Sequence, residues 1–403
     1  MNKLLSEKNA HTSLIAALAL CLVVCIILFI YIGGFSGTDV IGHWRICKYT
    51  LEGYNPYSLI GADAPIESVG PISKGFSTVP WSCLFGSAFY GGFLPLNWAC
   101  VYILSLHFIA LALLIAVLYR KFKDTLSRGQ LLALLMLPCV HFSFMYSVHF
   151  GNAGGVICCL LIVAFCITEK HPIAAGILLG LAMMKPQITA IICLIYLFQK
   201  QWKPLAIAAA IVIAGWIATS LITATSPLQL LAQTFSSGTA APTQYLGLLN
   251  NLKYFGVNST FILLFNMLIG AAYTTFLFFY IKKRNTKTFK SLFIYIPGCI
   301  ASVFWIFKNG TDYLILTFAA IFFALLMMKK TMSMKDRLGS LLSIGYLEMG
   351  RCAVYLGISL FPKNLFVRDL FKSADGLVIG LIGIYLCYLW TKYDADTVMN
   401  TKQ

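Results

Sequence analysis

The sequence predicts an all-α polytopic membrane protein, with about 10 full transmembrane helices plus one re-entrant or short-helix hairpin. Three observations lead there. Of the 403 residues, 59% are hydrophobic and 11% charged, against roughly 25% charged in soluble domains. Such a chain has more apolar surface than a soluble core can hide. The net charge of +16 arrives as short basic clusters between apolar spans, which is how topology signals are distributed and not how a nucleic-acid-binding face is built. Finally, a few isolated polar residues, Asp39, Asn152, Lys185 and Asp312, all fall at the side opposite those clusters. Ionisable groups persist at membrane depth only where something offsets their desolvation.

The elements follow in order, within a single integral domain, 1–403. A first span at 14–32 is close to the roughly 20 residues that cross the hydrocarbon core. It is too long for a signal-peptide core and lacks a cleavage site, so it reads as a retained anchor. The clusters at 120–128, 200–203, 282–290 and 329–337 belong in the cytoplasm with both termini. Parity then makes 34–96 a first external loop. Within it, 39–51 reads as an interfacial helix, N-capped by Thr38 and stopped by Gly53 and Asn55-Pro56, and 79–93 as interfacial or re-entrant. Spans at 97–119, 129–147 and 153–168 come next. The stretch 172–198 starts and ends on the cytoplasmic side yet is too short for two crossings. It reads as a helical hairpin with Lys185-Pro186-Gln187 at its tip, because the residue before proline disfavours helix. A span at 204–224 leads to a second external loop, 225–258, and further spans lie at 259–281, 291–306, 312–329, 338–361 and 374–391.

The external side holds the candidate chemistry. Asp39 sits at the lipid boundary, where partial desolvation makes a carboxylate a better base; the bland alternative is an acid at a helix start. Lys185, deep in the hairpin, needs a partner or an anion and is suited to a lipid phosphate as a point charge. Asn152 can hydrogen-bond a sugar hydroxyl or cap the fourth helix. Asp312, beside Tyr313, can cap its helix or orient a sugar. Gln187 at the tip, and Gln244 and Asn250 in the second loop, offer further sugar hydrogen bonds. Glu348 and Arg351, at i, i+3 spacing, read as a structural ion pair. Trp81 and Trp98 read as interface anchors, and His107 and His141 as structural hydrogen-bonding residues. His149 is either a loop residue or a ligand. Thirteen cysteines lie mostly inside spans, where thiols behave as small hydrophobes; Cys47 and Cys83 leave a disulfide open. There is no phosphate-cradling loop, HExxH or CxxC. Asp394-Ala395-Asp396 stands in a short tail with no soluble domain to use it as a nucleotide-sugar motif.

At these residues the chain resembles the multispanning C-superfamily of glycosyltransferases, and more narrowly glycosyltransferase family 87. The resemblance lies in Asp39 after the first span, Gly53-Tyr54-Asn55-Pro56-Tyr57, Phe76-Ser77-Thr78-Val79-Pro80, Gly151-Asn152, the stretch from Ala175-Gly176 through Gly180 to Lys185-Pro186-Gln187, and Asp312-Tyr313. Where the family often has Gly-Gln and Tyr-Pro-Pro, this chain has Gly151-Asn152 and Val79-Pro80. The resemblance implies a polyprenyl-phosphate-sugar donor, an external glycan or glycolipid acceptor, and inversion at the anomeric carbon. Asp39 would be the general base. Lys185, with Arg45 or His43, would stabilise the leaving phosphate, with no cofactor or metal. Mannose is the hexose the family favours. Glucose is the rival, since bacterial serotype-converting glucosyltransferases share this architecture. Two other readings stay open: a transporter or flippase of lipid-linked sugars, and an O-antigen polymerase or ligase. The expected location is a bacterial inner membrane, with the site on its periplasmic face.

Overall fold

The computed structural model describes residues 10–31, 33–73, 78–240, 248–284, 292–305, 310–328, 331–361 and 364–393. Helices α1 (Ala10–Tyr31) and α2 (Thr38–Leu51) are followed by a 3-10 turn, Pro56–Leu59, and by the short α3 (Pro80–Phe85) and α4 (Ser87–Tyr90). Then come α5 (Leu96–Phe122), α6 (Arg128–Val140), α7 (Phe142–Phe150), α8 (Gly154–Ile167), α9 (Pro172–Ala182), α10 (Pro186–Phe198), α11 (Trp202–Ile222) and α12 (Pro227–Ala240). Beyond a 3-10 turn at Asn250–Phe255 lie α13 (Ser259–Arg284), α14 (Ile296–Ala301), a 3-10 segment Gly310–Leu316, α15 (Thr317–Met327), α16 (Met334–Leu360) and α17 (Leu365–Tyr393). Among the described residues there is no strand, and eight helices are long and apolar enough to cross a membrane. The chain is an all-α polytopic membrane protein.

Its helices sort by what covers them. Helix α1 has no charged residue and leaves Leu20, Ile27 and Ile30 exposed, as suits a span facing lipid. Helix α15 has every residue buried, so it is the centre of the bundle. Two stretches expected as full spans are shorter. The first, α8, has 14 residues, nearly all buried, and at 1.5 Å per residue reaches about 21 Å, short of the roughly 30 Å core. The second, the Leu292–Ala301 stretch, is also short and buried. Protein encloses both, so lipid does not set their length.

Local chemistry accounts for the breaks. Ser127 and Gln130 form a reciprocal capping box at the start of α6, satisfying two orphan amides. Pro138 lies inside α6, and the chain turns at His141, whose Nδ1 accepts from the Ser143 amide. The expected span 129–147 is thus two helices. Helix α2 starts one residue earlier than expected, with Gly37 and not Thr38 as its N-cap.

Helix α9 packs along α11. A Cβ on Gly176 would meet the Pro204 carbonyl at 2.9 Å, and one on Gly180 would meet Ile211 at 2.8 Å. Small residues at this spacing let two backbones approach closely. The matched order, 176 with 204–207 and 180 with 208–211, makes the two helices parallel. Both therefore start at the same end of the bundle, and α10 returns to it from Lys185. Segment 78–90 closes over that tip. Trp81 Nε1 donates to Met183 O at 2.8 Å, Ser82 Oγ donates to Met184 O at 2.9 Å, and Phe85 lies against Gly215 of α11. Trp81 is thus a latch on the hairpin and not the interface anchor expected for it, whereas Trp98 is exposed. All thirteen cysteines are free thiols, Cys47 and Cys83 among them.

Candidate functional site

The start of α2 is held in place by its neighbours. His149, the next-to-last residue of α7, receives hydrogen bonds at its carbonyl from the Ser36 and Gly37 amides, 2.7 and 3.2 Å, and its Nδ1 meets the Gly34 carbonyl. Of the two readings for His149, loop residue or ligand, the structure shows neither: it is a buried fastener between α7 and the α1–α2 link. Gly151 ends α7 with φ +64°, and a Cβ there would lie 2.2 Å from Val40 of α2. Glycine alone permits both that backbone and that approach. His107 fixes the next residue from below, its Nε2 3.0 Å from the Asn152 carbonyl and 3.1 Å from Ser147 Oγ. Tyr90 fixes it from α4, accepting from the Ala153 amide at 3.1 Å.

So held, Asn152 joins four elements through one side chain. Its Nδ2 donates to Asp39 Oδ2 at 2.6 Å. Its Oδ1 accepts from Lys185 Nζ at 2.6 Å and from the Gly154 amide at 2.8 Å. Lys185 Nζ also donates to Asp312 Oδ1 at 2.8 Å, and Thr311 Oγ1 lies about 3 Å from both Asp312 Oδ1 and Asn152 Oδ1. The result is a relay, Asp39–Asn152–Lys185–Asp312, contributed by α2, the α7–α8 turn, the hairpin tip and the 3-10 segment before α15. Asn152, Lys185 and Asp312 are buried, while Asp39 is half-buried, so the relay opens at Asp39. Residue 154 is held to glycine, because a Cβ would sit 2.7 Å from Asp312 Oδ1 and 3.0 Å from Asn152 Oδ1.

Two acids and one ammonium leave one negative charge when all are ionised. Burial raises the Asp39 carboxyl above the ordinary carboxylate range; the Asn152 hydrogen bond and the Lys185 charge oppose this, and Asp312 adds to it. Lys185 is not an idle cation. Two of its three N–H donors are taken by Asn152 and Asp312.

The other sequence candidates are placed as follows. His43, one helical turn after Asp39, stacks on Tyr90 with centroids 4.5 Å apart. Burial, then the nearby Lys185 charge, lowers its imidazole to about 3, so it is neutral at physiological pH. Arg45 stands apart from the relay: Nε and Nη1 donate to the Val69 and Pro71 carbonyls, both at 2.8 Å, and pin the 61–72 loop to α2. The Gln187 carbonyl accepts from Trp305 Nε1 at 2.7 Å. Tyr313 is buried and donates to Asp375, leading away from the relay. Gln244, Phe76-Ser77 and Asp394-Ala395-Asp396 lie outside the described residues.

Sequence reasoning missed Tyr90, Thr311 and Asp375. It also paired Arg351 wrongly. Both oxygens of Glu348 lack a hydrogen-bond partner among the described residues, and Arg351 points instead toward Asp375, Nη1 to Oδ2 3.8 Å. The Asn55-Pro56-Tyr57 motif proves to be a clasp between the two loop regions. Asn55 Nδ2 donates to Gln233 Oε1 at 3.0 Å, and Thr234 Oγ1 donates to Tyr57 Oη at 2.9 Å. Among the described residues no three His, Cys, Asp or Glu side chains group as metal ligands would.

Comparison with known proteins adds one finding. The sequence profile of glycosyltransferase family 87 matches residues 80–329, well over half of the chain. The matched region contains Asn152, Lys185 and Asp312 and stops short of Asp39. No curated protein and no solved structure matches the chain.

Proposed function

Because the chain belongs to glycosyltransferase family 87, we propose that it moves a hexose, mannose before glucose, from a polyprenyl-phosphate sugar to a glycan or glycolipid acceptor with inversion. The observation that carries this reading is the Asn152 bridge, which ties a half-buried carboxylate to a buried cation. Asp39 takes the proton of the acceptor hydroxyl as that oxygen attacks the anomeric carbon. The new C–O bond forms on the face opposite the leaving group, and the bond from C1 to the phosphate oxygen breaks. The polyprenyl phosphate departs with the electron pair.

Each relay residue has a part in this. A desolvated Asp39 is a stronger base than a surface aspartate. Asn152 aims it. Lys185 holds Asn152, balances Asp312 and presents its third N–H to the phosphate as charge develops there. His43 contributes a neutral imidazole at the same helix face. Gln187 and Gln244 are assigned to binding sugar or acceptor, while the buried Asp312 and Tyr313 act from behind, Asp312 through Lys185. Fixed cations can serve a monophosphate leaving group without a divalent ion, so transfer is expected to persist in chelator. By the positive-inside rule the basic clusters of the sequence support an extracytoplasmic site, and the location proposed for it is a bacterial inner membrane.

The test is transfer by the purified protein in detergent, with labelled polyprenyl-phosphate-mannose and polyprenyl-phosphate-glucose as donors and a membrane glycolipid extract as acceptor. Asp39→Asn keeps the size and removes the base. Turnover is expected to fall by about 10²–10⁴-fold, while donor binding persists. Asp39 works ionised and its carboxyl is shifted upward, so wild-type activity rises with pH through a midpoint above that of an ordinary aspartate. That limb is absent from the residual activity of the variant. Near-normal turnover in Asp39→Asn overturns the mechanism. Lipid scrambling in liposomes without transfer from either donor favours a flippase.

A further inference from the structure

Trp81 and Ser82 direct their side-chain hydrogen bonds to the two residues before Lys185. The acceptors, the Met183 and Met184 carbonyls at 2.8 and 2.9 Å, lie between the end of α9 and the start of α10, where a helix leaves its carbonyls without intrahelical partners. Within the hairpin, the Lys185 amide donates to Ala182 O at 3.0 Å, and Lys185 O accepts from the Ile188 and Thr189 amides at 3.1 and 3.2 Å. The tip that carries the cation therefore takes part of its support from outside the hairpin.

The same segment bears on the helix that carries Asp39. A Cβ on Gly86 would lie 3.0 Å from Cys47 Sγ of α2, and one on Gly92 would lie 2.6 Å from Cys47 Cβ. Trp44 of α2 donates to Leu94 O at 2.9 Å, and His43 stacks on Tyr90. One run of chain, 80–94, thus touches the hairpin of Lys185 and the helix of Asp39. Its entry is fixed by Tyr57. The phenol donates to Thr78 O at 2.8 Å, and it accepts from Thr234 Oγ1 of α12 at 2.9 Å and from Cys83 Sγ of α3 at 3.8 Å. The one donor and both acceptor positions of that hydroxyl are in use. Tyr57 is buried, so removing the hydroxyl costs Thr78 O a donor in a place shielded from solvent.

We propose that Tyr57 is a positioning residue for Lys185: it seats segment 78–90 against α12, and that segment, through Trp81 and Ser82, sets where the cation stands relative to Asp39. This rests on the transferase reading above and adds to it a dependence of donor binding on the clasp between the two loop regions. The effect on the reaction runs through Lys185, so it falls on the donor and not on the acceptor.

With the full-length protein in detergent, donor and acceptor KM are measured using labelled polyprenyl-phosphate-mannose and polyprenyl-phosphate-glucose. Amide hydrogen exchange is followed at Met184, Lys185, Ile188 and Thr189. Tyr57→Phe keeps the ring and removes the hydroxyl. It is expected to raise donor KM by about 3- to 10-fold, to leave acceptor KM unchanged and to speed exchange at those four amides. Ser82→Ala is expected to act alike. The two together should raise donor KM little beyond the larger single effect, because they interrupt one chain of contacts, whereas independent losses multiply. Unchanged donor KM in Tyr57→Phe, with transfer intact, overturns the inference whatever the thermal midpoint does, and leaves the transferase reading standing. So does a rise shared equally by both KM values. Raised donor KM without faster exchange at the tip, or losses that multiply in the double variant, overturns the route through Trp81 and Ser82. If the wild type transfers neither sugar, the transferase reading falls and exchange alone decides: faster exchange in Tyr57→Phe upholds the positioning of Lys185, and unchanged exchange overturns it. Should Tyr57→Phe fail to fold, Thr234→Val, which removes the α12 hydroxyl from the phenol, takes its place under the same outcomes.

Discussion

Asp312 and Glu348 are both fully buried acids, yet their surroundings differ in kind. Asp312 has Lys185 at 2.8 Å and Thr311 at 3.0 Å, and through them a path to Asp39. Neither oxygen of Glu348 has a hydrogen-bond partner among the described residues, and the groups within electrostatic reach of it include the thiols of Cys21, Cys25 and Cys139. Burial alone therefore does not mark a working acid. The distinction is a cation delivered from a different element, the hairpin tip, together with the Thr311 hydroxyl. A pair so arranged fixes geometry as well as charge. Among the described residues no hydrogen bond offsets the desolvation of Glu348.

Three substitutions sharpen or break that contrast. The largest effect is expected for Lys185→Met, which removes the cation 2.8 Å from the buried Asp312 and should destabilise the protein by about 3–5 kcal/mol. Adding Asp312→Asn should restore most of the thermal midpoint and none of the transfer, because the relay is still cut. A Lys185→Met protein that melts with the wild type would show that the pairing is unimportant. Next is Gly154→Ala. The new methyl would press on Asp312 Oδ1 and Asn152 Oδ1, with an overpacking penalty of about 1–3 kcal/mol. Transfer should drop further than stability does, and equal losses would make Gly154 merely a packing position. The smallest effect has the opposite sign. Glu348→Met, similar in volume and free of unsatisfied oxygens, should raise the thermal midpoint by the equivalent of about 1–2 kcal/mol and leave transfer unchanged. If it lowers the midpoint as Lys185→Met does, the two acids are alike and the contrast fails.

The sequence was most legible where a polar residue stands alone in apolar surroundings. Asp39, Asn152, Lys185 and Asp312 stood out for that reason, and the structure brings the four side chains together. Helix identity was legible too, because lipid-facing stretches must be apolar throughout. Length was less so. Helix α8 is short because protein covers it, and apolar composition does not reveal which neighbour does the covering. Partnerships across the fold were the least legible. The i, i+3 spacing of Glu348 and Arg351 brings two side chains to one face of α16 but cannot show that Asp375, on α17, draws the arginine away. Trp81 had the composition of an interface anchor, and only the position of the hairpin tip makes it a latch. Arg45 and His43 share α2 with Asp39, yet the loop at 61–72 takes the first and stacking on Tyr90 takes the second.

The shortness of α8 bears on how reactants arrive. Its first turn carries the Gly154 amide that touches Asn152, so the relay stands where a helix of about 21 Å begins and not at the rim of a full-length span. A reactant dissolved in water must find this recess in three dimensions and push its hydroxyl down into it. One tethered to the bilayer searches in two. On the proposed function both partners would be tethered in this way and would meet the site by lateral diffusion, before any hydrogen bond to a sugar has been made.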